Sequence, residues 1–376
     1  MSFIQMVDLR SQYEKVKEEI NDAIQGVLDA TAFINGPEVR KFSDELANYT
    51  GANHVITCGN GTDALQIAMM GLGFEPGQEV IVPTFTYAAT VEVIALLGLK
   101  PKFVDVLVDT YDMDPADLEK ALGPNVVGIV PVHLYGQCSN MEFILEFARK
   151  HGLKVIEDGA QAIGAVYTFS DGRKAQAGTM GDVGTTSFFP SKNLGCYGDG
   201  GAMFTNDPVL AEKLKMIASH GQKRKYYHES IGVNSRLDTL QAAILSVKLG
   251  HLTRYSTSRN EVADRYDKAL AAISQIKIPT RIPNSTHVFH QYTIQVAGGK
   301  RDELKTFLQE QGVPSMVYYP IPLHLQPAYA QFGYHKGDFS VAERLCSTVL
   351  SLPIHTEMDP AEQVFIIEKV KQFFAK

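Results

Sequence analysis

The chain has 376 residues, of which 45% are hydrophobic and 20% are charged, and its formal net charge is −7. This composition is typical of a soluble globular protein with a large core, and the negative charge argues against broad attraction to nucleic acid. The four cysteines show no Cys-x-x-Cys or Cys/His ligand spacing, so neither a disulfide framework nor a metal site is expected.

The N-terminal segment, residues 1–8, lacks a basic start followed by an apolar stretch, and no run of about 18 apolar residues occurs in the chain. A cytoplasmic protein without a membrane span is therefore expected. The one strongly basic run, Lys223-Arg224-Lys225, is interpreted as a solvated face, with a phosphate site as the alternative.

Short β-rich runs alternate with helical patterns in the first half of the chain, which predicts an α/β protein with a mainly parallel sheet covered on both faces. A long helix follows, and then shorter elements rich in proline, which indicate a smaller C-terminal α+β domain. The predicted domains are residues 1–250 and 251–376. The predicted strands are 54–58, 79–82, 101–106, 126–132 and 153–158, and the predicted helices are 62–72, 88–97, 140–151 and 239–272.

The first candidate site follows the strand at 54–58, where Gly61 and Thr62 open a helix. Free backbone N–H groups at a helix start, together with the Thr62 hydroxyl, form a natural phosphate cradle. The alternative is an ordinary turn in which Asn60 or Thr62 caps the helix.

The next two candidates lie at the ends of later strands. Tyr87 ends the segment Pro83-Thr84-Phe85-Thr86-Tyr87 and could stack on a flat ring, although an aromatic residue here could also belong to the core. Asp158 ends an apolar strand, where a carboxylate is costly unless it pairs with a positive group such as a pyridinium nitrogen. The alternative for Asp158 is a helix cap, and Glu157 before it is expected to face outward.

Lys192 stands between Pro190 and a glycine-rich stretch that ends at Gly201. A rigid proline and glycines without side chains suit an amine that must be held still and approached by a flat molecule, so Lys192 is the candidate Schiff-base nucleophile. A surface lysine in a glycine loop is the alternative. Ser187 could bind a phosphate, or it could satisfy local backbone groups.

Each of these signals is weak alone, but pyridoxal phosphate (PLP) explains the cradle, the aromatic residue, the aspartate and the lysine together. The chain resembles, over nearly its whole length, the sugar-nucleotide aminotransferases of the DegT/DnrJ type, which are fold type I PLP enzymes. The matching segments are 59–65, 83–87, 157–161, 187–201 and 232–243.

The resemblance implies a seven-stranded, mainly parallel sheet in the large domain and a homodimer with shared active sites. It also implies a role for each matching residue. Lys192 would form the Schiff base and act as general base, and Asp158 would contact the pyridine nitrogen. Gln161 would lie on the ring face or near its hydroxyl, and Tyr87 would stack on the opposite face. Gly61, Thr62 and Ser187 would bind the phosphate, and Asn234 would reach that phosphate from the neighbouring subunit.

The lysine segment resembles that of family members which aminate carbon 3 of the sugar. It implies an amino transfer from L-glutamate to UDP-2-acetamido-2-deoxy-3-oxo-glucuronate, for surface polysaccharide (O-antigen or lipopolysaccharide) synthesis. Arg236 is the candidate for binding the substrate carboxylate, with an intersubunit salt bridge as the alternative, and Tyr318 and His324 are further substrate-binding candidates. A 4-aminotransferase acting on a 4-keto-6-deoxy sugar and a non-catalytic PLP-binding regulator remain alternatives.

Overall fold

A computed structural model describes residues 4–375 of the chain. Residues 1–3, on which the expectation about an export signal partly rests, and residue 376 lie outside that range. Within it, a search for a helix of sufficient length and hydropathy to cross a membrane finds none.

Eleven helices occur in the described range, and three 3-10 turns at Leu134–Gly136, Leu323–Leu325 and Pro327–Phe332 accompany them. The helices are α1 (Leu9–Ala30), α2 (Pro37–Thr50), α3 (Gly61–Leu72), α4 (Ala89–Leu96), α5 (Pro115–Ala121), α6 (Met141–His151), α7 (Pro208–Ala218), α8 (Thr239–Leu270), α9 (Arg301–Glu310), α10 (Ser340–Thr348) and α11 (Pro360–Phe374).

Fourteen strands form one large and three small sheets among the described residues. They are β1 (His54–Cys58), β2 (Glu79–Pro83), β3 (Lys100–Val104), β4 (Val126–Ile129), β5 (Lys154–Asp158), β6 (Val166–Thr168), β7 (Lys174–Gln176), β8 (Val183–Ser187), β9 (Gly201–Thr205), β10 (Gln222–Arg224), β11 (Tyr227–His228), β12 (Ile276–Lys277), β13 (Tyr292–Val296) and β14 (Val349–Leu352).

The large sheet has seven strands in the order β1-β9-β8-β5-β4-β2-β3. Strands β3, β2, β4, β5 and β8 pair in parallel, whereas β9 is antiparallel to both of its neighbours. The predicted seven-stranded, mainly parallel sheet is therefore confirmed. Since the parallel strands all point the same way, the residues that follow them meet at one edge.

Local sequence signals set the ends of the helices that flank this edge. Asn60 caps α3 by accepting the Asp63 amide at 2.8 Å, and α3 ends at Gly73, whose φ is +79°. Helix α6 repeats the arrangement with Asn140 before it and Gly152, with φ +67°, after it. An asparagine cap at one end and a left-handed glycine at the other fix where each helix starts and stops.

Helix α8 belongs to two apolar cores. Its first half, including Leu245 and Leu252, packs with the large sheet, whereas Val262, Tyr266 and other residues of its second half pack with β12–β14, α9 and α11. The predicted boundary between residues 250 and 251 falls inside this continuous helix. The division into two domains remains a prediction.

Gly184 in β8 provides a test of this packing, because a Cβ atom at that position would lie 1.8 Å from the carbonyl oxygen of Gly178. We expect Gly184→Ala to lower the free energy of unfolding by about 1–3 kcal/mol, measured by urea denaturation. Gly26→Ala is the control, because no atom lies within 4 Å of the added carbon. That change in the middle of α1 should raise stability by about 0.5–1 kcal/mol. Equal denaturation midpoints for the two variants would contradict the packing described.

Candidate active site

A cavity of about 670 Å³ opens at the carboxyl edge of the parallel strands. This volume is within the usual range for a small-molecule site. Eight of the residues predicted from the sequence line it. They are Gly61, Thr62, Tyr87, Asp158, Gln161, Ser187, Lys192 and Tyr318.

The start of α3 forms one wall of the cavity. Asn60 caps the Asp63 amide, which leaves the Gly61 and Thr62 amides among the unpaired N–H groups of the first helical turn. A Cβ on Gly61 would lie 2.7 Å from the Cβ of Ser187, so only glycine allows the helix start to approach the end of β8 this closely. The capping alternative and the cradle are therefore compatible, because Asn60 caps while the two preceding amides stay free.

Lys192 lies on a tightly folded loop. Its amide donates to the Phe189 carbonyl at 2.8 Å, and a Cβ on Gly195 would lie 2.3 Å from the Pro190 carbonyl oxygen. Burial lowers the pKa of the Lys192 ammonium from 10.5 to about 8, although the Asp158 carboxylate opposes this change. The lysine is thus a half-buried lining residue of the cavity.

Asp158 lies at the carboxyl end of β5 and is 6% exposed. One carboxylate oxygen accepts the Thr90 hydroxyl at 2.7 Å, and the other accepts the Ala160 amide at 3.2 Å. These two donors hold the carboxylate in place and leave it without a paired cation at hydrogen-bonding distance among the described residues. A positively charged group that entered the cavity would find its counter-ion here.

Gln161 is fixed by two tyrosines. Its side-chain oxygen accepts the Tyr135 amide at 2.7 Å, and its side-chain nitrogen donates to the Tyr319 hydroxyl at 3.1 Å. Tyr87 is 59% exposed, and its ring centroid lies 6.0 Å from that of Tyr319. The cavity therefore has a fixed amide on one side and an exposed aromatic ring on another.

Glu157 is not outward-facing, as the sequence had suggested, but is completely buried. It accepts His133 Nε2 at 2.9 Å and the amides of Gly178, Met180 and Gly181 at 2.6–2.9 Å. Side chains alternate along a strand, so Glu157 and Asp158 face opposite sides of the sheet. Because β5 lies in the middle of the sheet and both sheet faces are covered, the side chain that points away from Asp158 is buried as well.

Three predicted residues do not line the cavity of their own chain. His324 is 1% exposed and is held between the Thr84 hydroxyl at 2.8 Å and the Glu343 carboxylate at 3.2 Å, and its role in substrate binding stays a prediction. Asn234 and Arg236 flank Ser235, whose hydroxyl donates to Asp63 at 2.6 Å. Both lie next to the cavity wall but outside it.

Tyr135, Tyr319 and His290 also line the cavity, but the sequence did not identify them. Tyr135 follows β4 and could have been found by the same strand-end argument that identified Asp158. Tyr319 adjoins the predicted Tyr318. His290 precedes β13 in the other half of the molecule, where no signal in the sequence connects it to the large sheet.

These residues fit pyridoxal phosphate. The free amides of Gly61 and Thr62 suit the phosphate, Asp158 suits the ring nitrogen, and Lys192 suits the aldehyde. The buried Thr86 hydroxyl, also on the cavity wall, has no hydrogen-bond partner within residues 4–375 and offers a further polar contact.

The model of the DegT/DnrJ/EryC1/StrS aminotransferase family matches residues 14–371. A pleiotropic regulatory protein of Geobacillus stearothermophilus is 48% identical over 373 residues, which are 99% of this chain and 98% of the relative. The UDP-2-acetamido-2-deoxy-3-oxo-D-glucuronate aminotransferase of Pseudomonas aeruginosa is 46% identical over 358 residues, which are 95% of this chain and 97% of the relative.

The crystal structure of NtdA from Bacillus subtilis with bound cofactor PMP superposes with a TM-score of 0.91 at 32% identity, covering 100% of this chain and 85% of that one. The chain belongs to the DegT/DnrJ/EryC1/StrS aminotransferase family. The family, the fold class and the enzyme class predicted from the sequence are confirmed.

The lowered pKa of Lys192 can be tested by reductive methylation with formaldehyde, followed by peptide mass spectrometry. The ammonium is unreactive, so the modification rate of Lys192 should rise with pH and level off above a midpoint near 8. Asp158→Asn removes the carboxylate that opposes the shift and should move the midpoint to lower pH. The exposed Lys174 serves as the internal reference for the reagent. A midpoint of Lys192 near its ordinary value of 10.5 would contradict the burial described.

Proposed function

We propose that this chain is a PLP-dependent aminotransferase that moves an amino group from L-glutamate to a 3-keto nucleotide sugar. The observation that carries this proposal is the convergence of Lys192, Asp158 and the start of α3 on one cavity. The proposed sugar is UDP-2-acetamido-2-deoxy-3-oxo-glucuronate. It rests on the lysine segment and on the Pseudomonas relative whose name gives that substrate. The expected cytoplasmic location stays a prediction.

When bound, PLP would supply an aldehyde that forms imines with amines and a protonated ring that withdraws electrons. The Gly61 and Thr62 amides, with the Ser187 hydroxyl, would hold its phosphate. Asp158 would keep the ring nitrogen protonated, because its carboxylate is the acceptor that the strand end offers. Gln161, held by Tyr135 and Tyr319, would limit the tilt of the ring.

Lys192 would have two roles. As a neutral amine it is the nucleophile, and burial makes that form accessible near pH 8. Once it is free again, its ε-nitrogen would take a proton from the donor carbon and return it to a neighbouring atom. The Lys192 loop has the rigidity that both roles require, because Gly195 packs directly against Pro190.

The charges in the cavity indicate that a single copy of the chain is incomplete. Among the described lining residues, the acids Asp63, Asp158 and Asp199 face a single cation, Lys192. A cofactor phosphate and a nucleotide diphosphate would together add several negative charges. We infer that further cations come from outside the cavity of one chain.

A second copy can supply them, which supports the proposed homodimer with shared sites. Residues 223–225 are basic and exposed on and next to the β10–β11 hairpin, and Ile231 after it is 86% exposed. An apolar side chain that is so exposed next to a basic run suits an interface with an acidic cavity. Asn234 and Arg236 are proposed to reach the partner's cofactor phosphate and substrate carboxylate, respectively, and Tyr318 would contact the sugar within its own chain.

A second candidate function comes from the name of the Geobacillus relative, which is a regulatory protein. A non-catalytic regulator could keep the whole cofactor site, because binding residues do not by themselves prove turnover. The 4-aminotransferase alternative also remains, because the cavity geometry does not distinguish carbon 3 from carbon 4.

The test loads the protein with pyridoxamine phosphate and adds a panel of 3-keto and 4-keto nucleotide sugars. We expect the 3-keto uronic acid to restore the absorbance of the lysine-bound cofactor fastest, and NMR of the product should place nitrogen at carbon 3. Lys192→Ala should lose turnover and that absorbance together, because it removes the amine. A DNA-binding assay runs in parallel.

A product with nitrogen at carbon 4 would overturn the proposed regiochemistry but not the proposed aminotransferase activity. Full turnover by Lys192→Ala would overturn the role of that lysine. DNA binding without conversion of any sugar would favour the regulator.

The shared site can be tested by mixing two inactive variants, Lys192→Ala and Asn234→Ala. If Asn234 acts across the interface, each mixed dimer has one intact site, and random reassociation should restore about one quarter of the wild-type activity. If Asn234 acts within its own chain, no site is intact and the mixture stays inactive. The matched control mixes Lys192→Ala with Asp158→Ala, which share one cavity of one chain and should not complement each other.

A further inference from the structure

His290 lines the same cavity as Lys192, but the roles proposed above do not use it. Its side chain is 5% exposed, so nearly all of the imidazole is surrounded by protein. Burying an imidazole costs free energy unless its nitrogens form hydrogen bonds, so a buried histidine on a cavity wall is a candidate functional residue.

The loop of Lys192 itself holds this histidine in place. Asn193, the next residue along the chain, donates from its side-chain nitrogen to the Val288 carbonyl at 2.8 Å. Val288 in turn donates its amide to the Gly136 carbonyl at 2.8 Å. The segment that carries His290 is therefore tied both to the lysine loop and to the residues that follow β4.

Arg259 holds the same segment from the opposite side. Its guanidinium is buried and donates to the carbonyls of Phe289 and Ile354 at 3.0 and 3.2 Å, with a longer contact of 3.4 Å to the His290 carbonyl. Phe289 has a φ of +46°, a left-handed conformation that residues other than glycine rarely adopt. Such backbone strain is kept where the surrounding contacts enforce it, and it is enriched at functional sites.

The imidazole has bonding capacity left over. Its Nδ1 has no hydrogen-bond partner among the described residues, and its Nε2 lies 3.5 Å from the Gln291 side-chain nitrogen, at the outer limit for a hydrogen bond. A neutral imidazole carries one donor and one acceptor nitrogen. Its Nδ1 therefore has hydrogen-bonding capacity that the described residues do not use.

The charges around the ring keep it neutral. Burial lowers the pKa of His290 well below its ordinary range, and the cations Lys192 and Arg259 act in the same direction. Asp158 is the carboxylate whose charge acts on Lys192. The histidine can therefore bind the lysine amine without competing for its proton.

We propose that His290 is a positioning residue for Lys192, whose ε-amino group it hydrogen-bonds once the amino donor has displaced that group from the cofactor. This proposal rests on the proposed function. A neutral amine and a neutral imidazole can each donate and accept, so the bond forms with either tautomer. The bond would hold the lysine nitrogen next to the carbon from which it takes a proton, instead of letting the long side chain sample the cavity.

The experiment compares His290→Leu and His290→Asn with the wild-type enzyme loaded with pyridoxal phosphate. Stopped-flow absorbance follows the half-reaction with L-glutamate and with its α-deuterated form. We expect His290→Leu to lower the rate by about ten- to a hundredfold, with an increased isotope effect and an unchanged KM for glutamate. His290→Asn keeps a polar atom near Nδ1 and should recover much of the rate.

His355→Leu is the matched control. His355 is also buried, also has an unpaired Nδ1, and its pKa is lowered to about 4 by burial and by Arg259, but it does not line the cavity. Equal losses in the two leucine variants would show a general folding effect and overturn the proposal. A raised KM with an unchanged rate would also overturn it, because His290 would then bind substrate.

A measurement on the wild-type protein covers the case in which His290→Leu does not fold. With histidine labelled by ¹⁵N, the ring signals of His290 should shift when glutamate converts the lysine-bound cofactor to its amine form, whereas those of His355 should stay in place. Unchanged His290 signals would overturn the proposal. If glutamate fails to convert the cofactor in the wild-type enzyme, the proposed function itself fails, and this result is separate from any effect of the histidine.

Discussion

The site depends on a buried carboxylate that does not itself line the cavity. Glu157 accepts four hydrogen bonds, one from His133 and three from backbone amides in the turn between β7 and β8. His133 is held in turn, because its Nδ1 accepts the Ser139 amide at 3.0 Å. The next residue, Asp158, is therefore fixed at the strand end by contacts behind it, and its carboxylate remains available to the cavity. Removing one of these partners would leave a buried polar atom with fewer hydrogen bonds than it has now, which costs stability.

Much of the large sheet could be predicted from the sequence, because each early strand is a short apolar run bounded by turn residues. Strands β8 and β9 could not be predicted in this way. Their sequences, VGTTS and GAMFT, contain glycine and threonine in place of a continuous apolar run. They are strands because neighbouring strands cover them on both sides, which is information that a local pattern does not contain.

The candidate site likewise contains residues that a local sequence motif predicts and residues that only the tertiary structure reveals. Gly61, Asp158 and Lys192 could be identified because each stands in a local motif with a physical reason for its residue type. Glu157 was misjudged, because a strand buried on both faces has no outward side. The burial of His324 could not be predicted either, because a histidine in a proline-rich loop gives no sign that Thr84 and Glu343 will enclose it. His290 could be found only from the tertiary structure, since the hydrogen bond between Asn193 and Val288 joins residues 95 positions apart.

Helix α8 connects the two apolar cores to which it contributes side chains. One continuous helix supplies apolar side chains to the core beneath the large sheet and to the core around β12–β14. Cutting the chain at residue 250 would leave each fragment with an apolar surface that its own residues cannot cover. A fragment that ends or begins at that residue would therefore expose part of a core that the intact helix covers.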